Sequence, residues 1–537
     1  MKRQPNLERL FDADVVWDVA IIGGGATGVG AAVDAASRGY RVCLVEQSDF
    51  GKGTSSRSTK LIHGGVRYLQ QGNISLVMEA LKERGLLRQN APHLVHDLAF
   101  VVPNYDWWEA PFYGIGMKVY DMLAGEYGFG KSRVLTKEDT LERIPTLTPE
   151  GLRGGVLYYD GQFDDARLLV DLAQTATEHG AALVNYCRCV GLTKDETGFV
   201  SGLVAEDLES GRKATIRAHA VVNATGCFTD AVRRLDEPDA PTIVAPSQGV
   251  HVVLDGSFLS GESAIMVPRT SDGRVLFAIP WHGRAVVGTT DTPIDDVSLE
   301  PRAFEDEIAF ILETAAQYLH KAPSRDDVLS VFAGIRPLIR DAEATSTASI
   351  SREHSILISA SGLLTIAGGK WTTYRNMAQD CIDQVAILGK LEQRPCVTKD
   401  LPIHGHCEDV DGLGDLAVYG ADADAIRELS REDPALAEPL HAALPLTAAW
   451  VVWAAREEMA MTVDDVLSRR TRSLLLDAAA AIDIAPRVAT LLARERGKDR
   501  IWEERQIIEF RRMARGYLPA ERPASSRPIP STTPGGS

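Results

Sequence analysis

The tightest constraint on the fold lies near the start of the chain. There the apolar run WDVAII (17 to 22) passes into GGGATG, then into an Ala-rich stretch from Ala26 to Arg38, then into RVCLVE (41 to 46). Short apolar runs bounded by glycine read as buried strands, and the stretch between them reads as a helix. A strand-helix-strand crossover of this kind demands a parallel sheet. Gly23, Gly25 and Gly28 form G-x-G-x-x-G at the first strand-to-helix turn. In that context the pattern is a dinucleotide fingerprint, because glycine permits the tight turn, the approach of a pyrophosphate to the backbone, and close helix packing. The first helical residues, Ala26 and Thr27, present amide donors and the positive end of the helix dipole to phosphate. Glu46 closes the second strand, where a carboxylate can accept from ribose hydroxyls and would repel a 2'-phosphate. The alternative is a glycine-rich turn without a ligand, and NAD and FAD share the fingerprint.

Two later stretches, HAVVNATG (219 to 226) and LLTIAGGK (363 to 370), repeat the pattern of apolar strand into glycine turn and read as pieces of the same sheet. Between them AIMVP (264 to 268), RVLFAIP (274 to 280) and RAVVGTTD (284 to 291) are short apolar strands separated by turn residues. They predict a mostly antiparallel sheet in a second, interleaved domain. The division expected is one module over residues 15 to 390. Its nucleotide-binding segments lie at about 15 to 90, 160 to 232 and 331 to 390, and its substrate-domain segments at about 91 to 159 and 233 to 330. Helical periodicity over 405 to 517 predicts a separate helical domain, and the Pro- and Ser-rich 518 to 537 a disordered tail. The first fourteen residues read as a loose polar lead-in.

A formal net charge of −17 argues against a broad nucleic-acid surface, so an anionic small substrate needs a local basic cluster. Seven scattered cysteines and no leader pattern make a reducing, cytoplasmic-side location the default. No apolar run is long enough to span a bilayer, which leaves association with a membrane surface open.

The residues after Glu46 decide between the dinucleotides. The run GTSSRSTKLIHGGVRYL (53 to 69) is rich in hydroxyl and amide donors suited to a ribityl chain and the polar edge of an isoalloxazine ring. Together with NATG (223 to 226) and AGGKWTTYR (367 to 375), it resembles the family of FAD-dependent glycerol-3-phosphate dehydrogenases, within the D-amino-acid-oxidase-like flavoproteins. The likeness extends to FDDARLLVDLA (163 to 173), FAGIRPL (332 to 338) and WVVWAAREEMAMTVDDVLSRRTRSLLLDA (450 to 478), and so to nearly the whole of residues 15 to 515. It implies an α/β fold: a Rossmann-like FAD-binding domain, an interleaved antiparallel-sheet substrate domain and a C-terminal helical domain. Besides the fingerprint residues, the implied FAD contacts are Thr54, Ser55, Ser56, Lys60, Leu61, Ile62, Gly64 and Gly65 of the donor-rich run. Val190, Ala224, Thr225, Gly226, Gly334, Gly369 and Thr372 complete the set. These groups suffice to hold FAD without a covalent link.

The reaction implied is oxidation of sn-glycerol 3-phosphate to dihydroxyacetone phosphate, by hydride transfer from C2 to FAD, with a membrane quinone as acceptor. An oxidase that hands electrons to oxygen is the alternative. Such chemistry needs a base for the C2 hydroxyl and cations for the phosphate. His63 is the first candidate for the base, and the alternative is a histidine that hydrogen-bonds the flavin or its loop. The resemblance places Arg67 and Tyr68 on the substrate, Arg336 and Lys370 near the reacting centre, and Arg352 at the phosphate. Arg336 or Lys370 can also stabilise a developing alkoxide. No histidine pair shows metal-ligand spacing with a third partner, so no metal is expected. The partners implied are the substrate, the quinone and the inner face of the cell membrane, with a homodimer left open and no nucleic acid.

Three further features have plain readings. Cys187 and Cys189 read as small residues at a strand end, and Cys227 as a neighbour of the cofactor. RRTR (469 to 472) reads first as a solvated helix face and second as a membrane contact. In residues 107 to 133, Trp107, Trp108, Phe112, Tyr113 and Met117 with Lys118, Lys131 and Arg133 read either as a membrane-facing surface or as cover for the substrate domain's core.

Overall fold

The computed structural model describes residues 1 to 65, 73 to 106, 109 to 268, 270, 273 to 340 and 354 to 519. Arg67, Tyr68, Arg352, Trp107, Trp108 and nearly all of the tail lie outside these residues, as does the side chain of Phe112.

The three glycine-ended strands assemble as expected. Val16–Ile22 pairs in parallel with Lys213–Asn223 on one side and Val42–Val45 on the other, and Leu364–Gly368 adds in parallel to Lys213–Asn223. Ala182–Val184 extends the far edge in parallel. Side chains alternate across a strand. Val19 and Ile21 therefore pack on a layer of helices, Ala26–Ser37, Asp165–Glu178 and Tyr374–Leu388. Ala20 and Ile22 face an antiparallel meander of Cys187–Lys194, Val200–Asp207 and the start of Lys213–Asn223.

That second face also takes the N-terminal residues, which differ from the loose lead-in expected. Arg3–Leu10 is a helix whose Leu7 and Leu10, with Phe11, are buried beneath the meander. Arg3 donates to the Asn185 carbonyl at 2.9 Å and pairs with Asp207 at 2.5 Å. A short helix with no acidic first turn carries little signal in sequence, and tertiary packing makes it.

The second sheet is mixed. Val328–Ile339, Val244–Asp255, Arg284–Gly288, Leu276–Trp281 and Ser263–Val267 follow one another antiparallel. Ser263–Val267 then meets Val95–Asn104 in parallel, and Gly154–Phe163 pairs antiparallel beyond it. Val328–Ile339, grouped with the nucleotide-binding part on sequence grounds, hydrogen-bonds to Val244–Asp255 along most of its length. It carries Ile335 and Pro337 to the border between the two sheets.

Residues 423 to 514 include the longer helices Ala423–Glu432, Ala448–Glu457, Ala478–Arg496 and Arg500–Ala514, with a π-helical turn Asp465–Arg470 and the short helix Ser473–Leu476 between the second and third. Their core is continuous with the second sheet: Val466, Leu474 and Ala485 belong to the same buried cluster as Trp281 and Phe332. No helix among the described residues is long and apolar enough to cross a membrane.

RRTR is not a solvated face. Arg469, Arg470 and Arg472 are buried. Arg470 forks onto Asp49 at 2.6 and 2.8 Å, Arg469 meets Asp49 at 2.5 Å and Asp465 at 2.9 Å, and Arg472 pairs with Asp164 at 2.8 Å. A charge run looks alike in sequence whether water or a set of carboxylates faces it, and here carboxylates from distant segments do. Arg167 extends the seam to Glu458 at 2.7 Å.

A second polar seam is centred on His404, which bridges Glu178 at 2.5 Å and Asp422 at 2.8 Å. Burial alone would lower its pKa, but the hydrogen bonds to Asp422 and Glu178 outweigh that and raise it to about 10. In the unfolded chain an imidazole titrates near ~6.5. The seam therefore contributes fully below that pH, and its contribution is lost as pH rises through the folded value. The thermal midpoint is expected to fall between neutral pH and pH ~10, and His404→Gln to flatten that fall. Parallel slopes for parent and variant in scanning fluorimetry would disprove the assignment.

Candidate functional site

A cavity of about 420 Å³ opens at the carboxyl edge of the parallel sheet, where the two sheets meet. Its floor is the fingerprint turn. Gly23 adopts φ +112°, and a Cβ there would lie 2.6 Å from the Ala224 carbonyl oxygen. A Cβ on Gly28 would collide with the carbonyl oxygen of Gly23. Gly25 begins the helix Ala26–Ser37 and has no side chain to cap it, although Ser55 takes the Ala26 N–H and Glu46 the Gly24 N–H. Gly23 to Thr27 all line the space. A helix start facing the cavity and a backbone that can be approached closely are the features a pyrophosphate needs.

Glu46 lines the same space, and its carboxylate accepts from the Gly24 N–H at 2.6 Å and the Ser48 N–H at 2.8 Å. Burial raises its pKa, against the pull of those two amides. Val190 lies where the register between its strand and Val200–Asp207 slips, between Cys189 and Gly191, and its neighbours Arg188 and Cys189 line the cavity.

The donor-rich run forms the opposite wall and is tied down by its own hydroxyls. Thr54 donates to the Ile335 carbonyl at 2.6 Å, and Ser55 Oγ accepts from the Ala26 N–H at 2.9 Å. Trp371 Nε1 donates to the Ser55 carbonyl at 2.8 Å, which joins this wall to the turn that carries Gly369, Lys370 and the buried Thr372. Ala224, Thr225 and Gly226 with Cys227 close a third side, so Cys227 does stand at the cavity. Gly334 lets the second-sheet strand press on this run, for a Cβ there would meet the Arg57 carbonyl at 2.8 Å.

Beyond Ser56 the run turns into the interior. Lys60 is fully buried, and its ammonium donates to both carboxylate oxygens of Asp165, at 2.8 and 2.9 Å, and to the Ser56 carbonyl at 2.8 Å. Its side chain thus fastens the run to the helix Asp165–Glu178 and does not line the cavity. Leu61 and Ile62 pair with Gln162 and Gly161. His63 is half-buried, and the turn after it is pinned where the Gly64 N–H donates to Tyr120 Oη at 2.8 Å. Gly65 is left-handed at φ +77°.

Of the cations, Lys370 lines the cavity. Arg336 sits between two lining residues, Ile335 and Pro337, and its guanidinium turns to the 289 to 291 turn. There it reaches the Thr290 carbonyl at 3.0 Å and Asp291 at 3.2 Å.

One histidine escaped sequence reasoning. His251 is buried on Val244–Asp255, stacked on Phe332 at 4.8 Å, with Nε2 2.9 Å from Thr59 Oγ1. Burial, then the charges of Lys60 and Arg336, hold its pKa well below the ordinary value, so the ring is neutral. Only the pairing of two distant strands brings it to the donor-rich run, and a lone histidine in an apolar strand gives no such signal.

Residues 18 to 375 match the family model of FAD-dependent oxidoreductases, and residues 363 to 503 match that of the C-terminal domain of alpha-glycerophosphate oxidase. The chain is 42% identical over 527 residues to a probable mitochondrial glycerol-3-phosphate dehydrogenase of Caenorhabditis elegans, covering 92% of this chain and 73% of that one. Among solved structures, the glycerol-3-phosphate dehydrogenase from Bacillus halodurans complexed with FAD superimposes with a TM-score of 0.78 at 30% identity, covering 96% of this chain and 97% of that one. The L-alpha-glycerophosphate oxidase of Mycoplasma pneumoniae shares the fold, with a TM-score of 0.57 at 16% identity over 72% of this chain and 99% of that one. The fingerprint turn, the cavity-lining carboxylate of Glu46 and the hydroxyl-bearing wall suit FAD, and with these matches they establish that the chain belongs to the family of FAD-dependent glycerol-3-phosphate dehydrogenases.

Proposed function

We propose that the protein oxidises sn-glycerol 3-phosphate to dihydroxyacetone phosphate and passes the electrons to a quinone at a membrane surface. The observation that carries the reading is the cavity wall in which Lys370 and the Arg336 segment meet the donor-rich run that leads to His63. Bound FAD supplies the hydride acceptor. The protein's part is to bind the anionic substrate, hold C2 toward the cofactor and remove the hydroxyl proton. His63 is the base, and neutral His251 stands against Thr59 of the same run. Lys370 and Arg336 stabilise negative charge as the hydroxyl ionises, a task suited to fixed cations in a site closed to water. Arg67 and Tyr68 are assigned to the substrate and Arg352 to its phosphate, where a guanidinium fork matches the anion.

The membrane part of the proposal rests on an apolar surface. Ile74 and Met78 on the helix Ile74–Asn90, and Ile115 and Met122 on the helix Glu109–Ala124, are all exposed, Met122 at 73%. A quinone is dissolved in lipid, so its reductase must present a surface that can lie on the bilayer. Tyr113 and Met117 do not belong to that surface, since both are buried in the core beneath it. Among the described side chains of this helix, the exposed ones are Ile115, Lys118 and Met122.

One anaerobic experiment tests the whole reading. Adding sn-glycerol 3-phosphate to the purified holoprotein is expected to bleach the flavin absorbance, and a soluble quinone analogue to restore it faster than air does. No bleaching would sink the substrate assignment. Rapid recovery in air with stoichiometric peroxide would replace the quinone by oxygen. Flotation with anionic liposomes checks the surface: the parent is expected to rise with the vesicles, and an Ile115→Ser, Met122→Ser variant to stay at the bottom. A parent that stays at the bottom at low salt would remove the membrane claim.

A further inference from the structure

Two walls of the cofactor cavity are irregular chain that joins neither sheet's ladder. One is the turn at 51 to 54, and the other is a strap at 298 to 301, which contributes Ser298, Leu299 and Pro301 to the lining. Glu300, in the middle of the strap, is not part of the lining, and its carboxylate is gripped from three directions. Arg57 donates at 2.8 Å, Tyr517 Oη donates at 3.0 Å, and the Lys52 ammonium pairs with it at 2.7 Å. Lys52 also reaches Asp464 at 2.6 Å, and Asp464 is held by Ser468 at 2.6 Å and Arg469 at 3.1 Å. The turn is thus anchored through Asp464, and the strap through Tyr517. Both anchors belong to the C-terminal domain. A Cβ built on Gly516 would lie 2.8 Å from Arg302 Cζ, so the end of that domain also presses on the residue just beyond the strap.

We propose that the C-terminal helical domain is the clamp that keeps FAD in its cavity, with Glu300 as the positioning residue through which Tyr517 and Lys52 hold the strap shut. Irregular chain is ordered at an entropic cost that ladder hydrogen bonds do not offset here, so other contacts must fix it. A carboxylate with three donors, two of them cationic, does so strongly. FAD cannot leave past Ser298 and Leu299 unless the strap lifts, and lifting it breaks those contacts. Opening of this kind is a local event that need not unfold the sheets.

Three full-length variants test this with the FAD-loaded protein: Tyr517→Phe, Glu300→Gln and Val451→Ala. Val451 is fully buried in the apolar core of the same domain, so its truncation serves as the control for general stability. The readout is the rate at which flavin fluorescence appears after dilution, at a temperature where circular dichroism shows all three folded. Loss of one charged hydrogen bond shifts an equilibrium by about tenfold to a hundredfold. Tyr517→Phe is expected to release FAD about tenfold faster and Glu300→Gln faster still, with Val451→Ala at the parent rate. Parent-like release from Tyr517→Phe overturns the proposal. Equal acceleration by Val451→Ala overturns it as well, because release would then follow general stability. Tyr517→Phe removes a single hydroxyl, so it carries the test if Glu300→Gln does not fold.

Discussion

Lys370→Ala and Arg336→Ala are each expected to lower turnover about 100- to 1,000-fold while leaving a folded, yellow protein, because in the proposed reaction each removes a fixed cation that acts on developing charge. Lys370 lines the cavity and Arg336 is locked against Thr290 and Asp291, so neither acts as a core packing element. Steady-state kinetics with sn-glycerol 3-phosphate, read beside the flavin absorbance, separates the cases. A fall in turnover with full flavin content supports the assignment. Near-parent turnover in either variant means that cation stands away from the reacting centre. Arg336→Lys is expected to recover little, since a point charge cannot keep the contacts of the planar fork to Gln248, Thr289, Thr290 and Asp291.

Asp49→Ala is expected to be the most damaging single change to stability outside the apolar core, at about 3 to 5 kcal/mol. Burial pushes the Asp49 carboxyl up, but the adjacent Arg470 and Arg469 outweigh it and hold the group ionised. Its removal takes away the carboxylate on which Arg470 forks, one of the three carboxylates around buried Arg469, and one of the two acceptors of the Asn185 amide. The exposed pair Arg456–Glu495 provides the contrast: Arg456→Ala is expected to cost no more than about 1 kcal/mol, as surface ion pairs do. Urea midpoints of the two variants against the parent give the comparison. Equal costs would mean that the Asp49 cluster contributes no more than a solvated pair.

The range of the interactions that make each part determines how legible it was in the sequence. The fingerprint turn, Glu46 and the three parallel strands are local patterns, and each formed where its own residues indicated. The side-chain role of Lys60 was not legible, because Asp165 is brought beneath it only by the folded helix layer. RRTR, His251 and the helix Arg3–Leu10 were misread or missed for the same reason. Each depends on a partner far away in sequence: Asp49 for Arg470, Thr59 for His251, and Asp207 for Arg3. Hydrophobic periodicity carries no information about such pairs.

The order of strands in the parallel sheet also sets a timetable for synthesis. The central strand, Val16–Ile22, is made almost first, yet its neighbour Lys213–Asn223 emerges far later, and Leu364–Gly368 later again. At about 5 to 20 residues per second the wait is on the order of tens of seconds. Throughout it, Val42–Val45 can pair on one side of the nascent strand, and the other side keeps a row of unmatched amides and carbonyls on an apolar ribbon. Fusion to a fast-folding partner cannot shorten that interval, and a circular permutant that begins near residue 210 would lengthen it, because Val16–Ile22 would then follow all of residues 224 to 537.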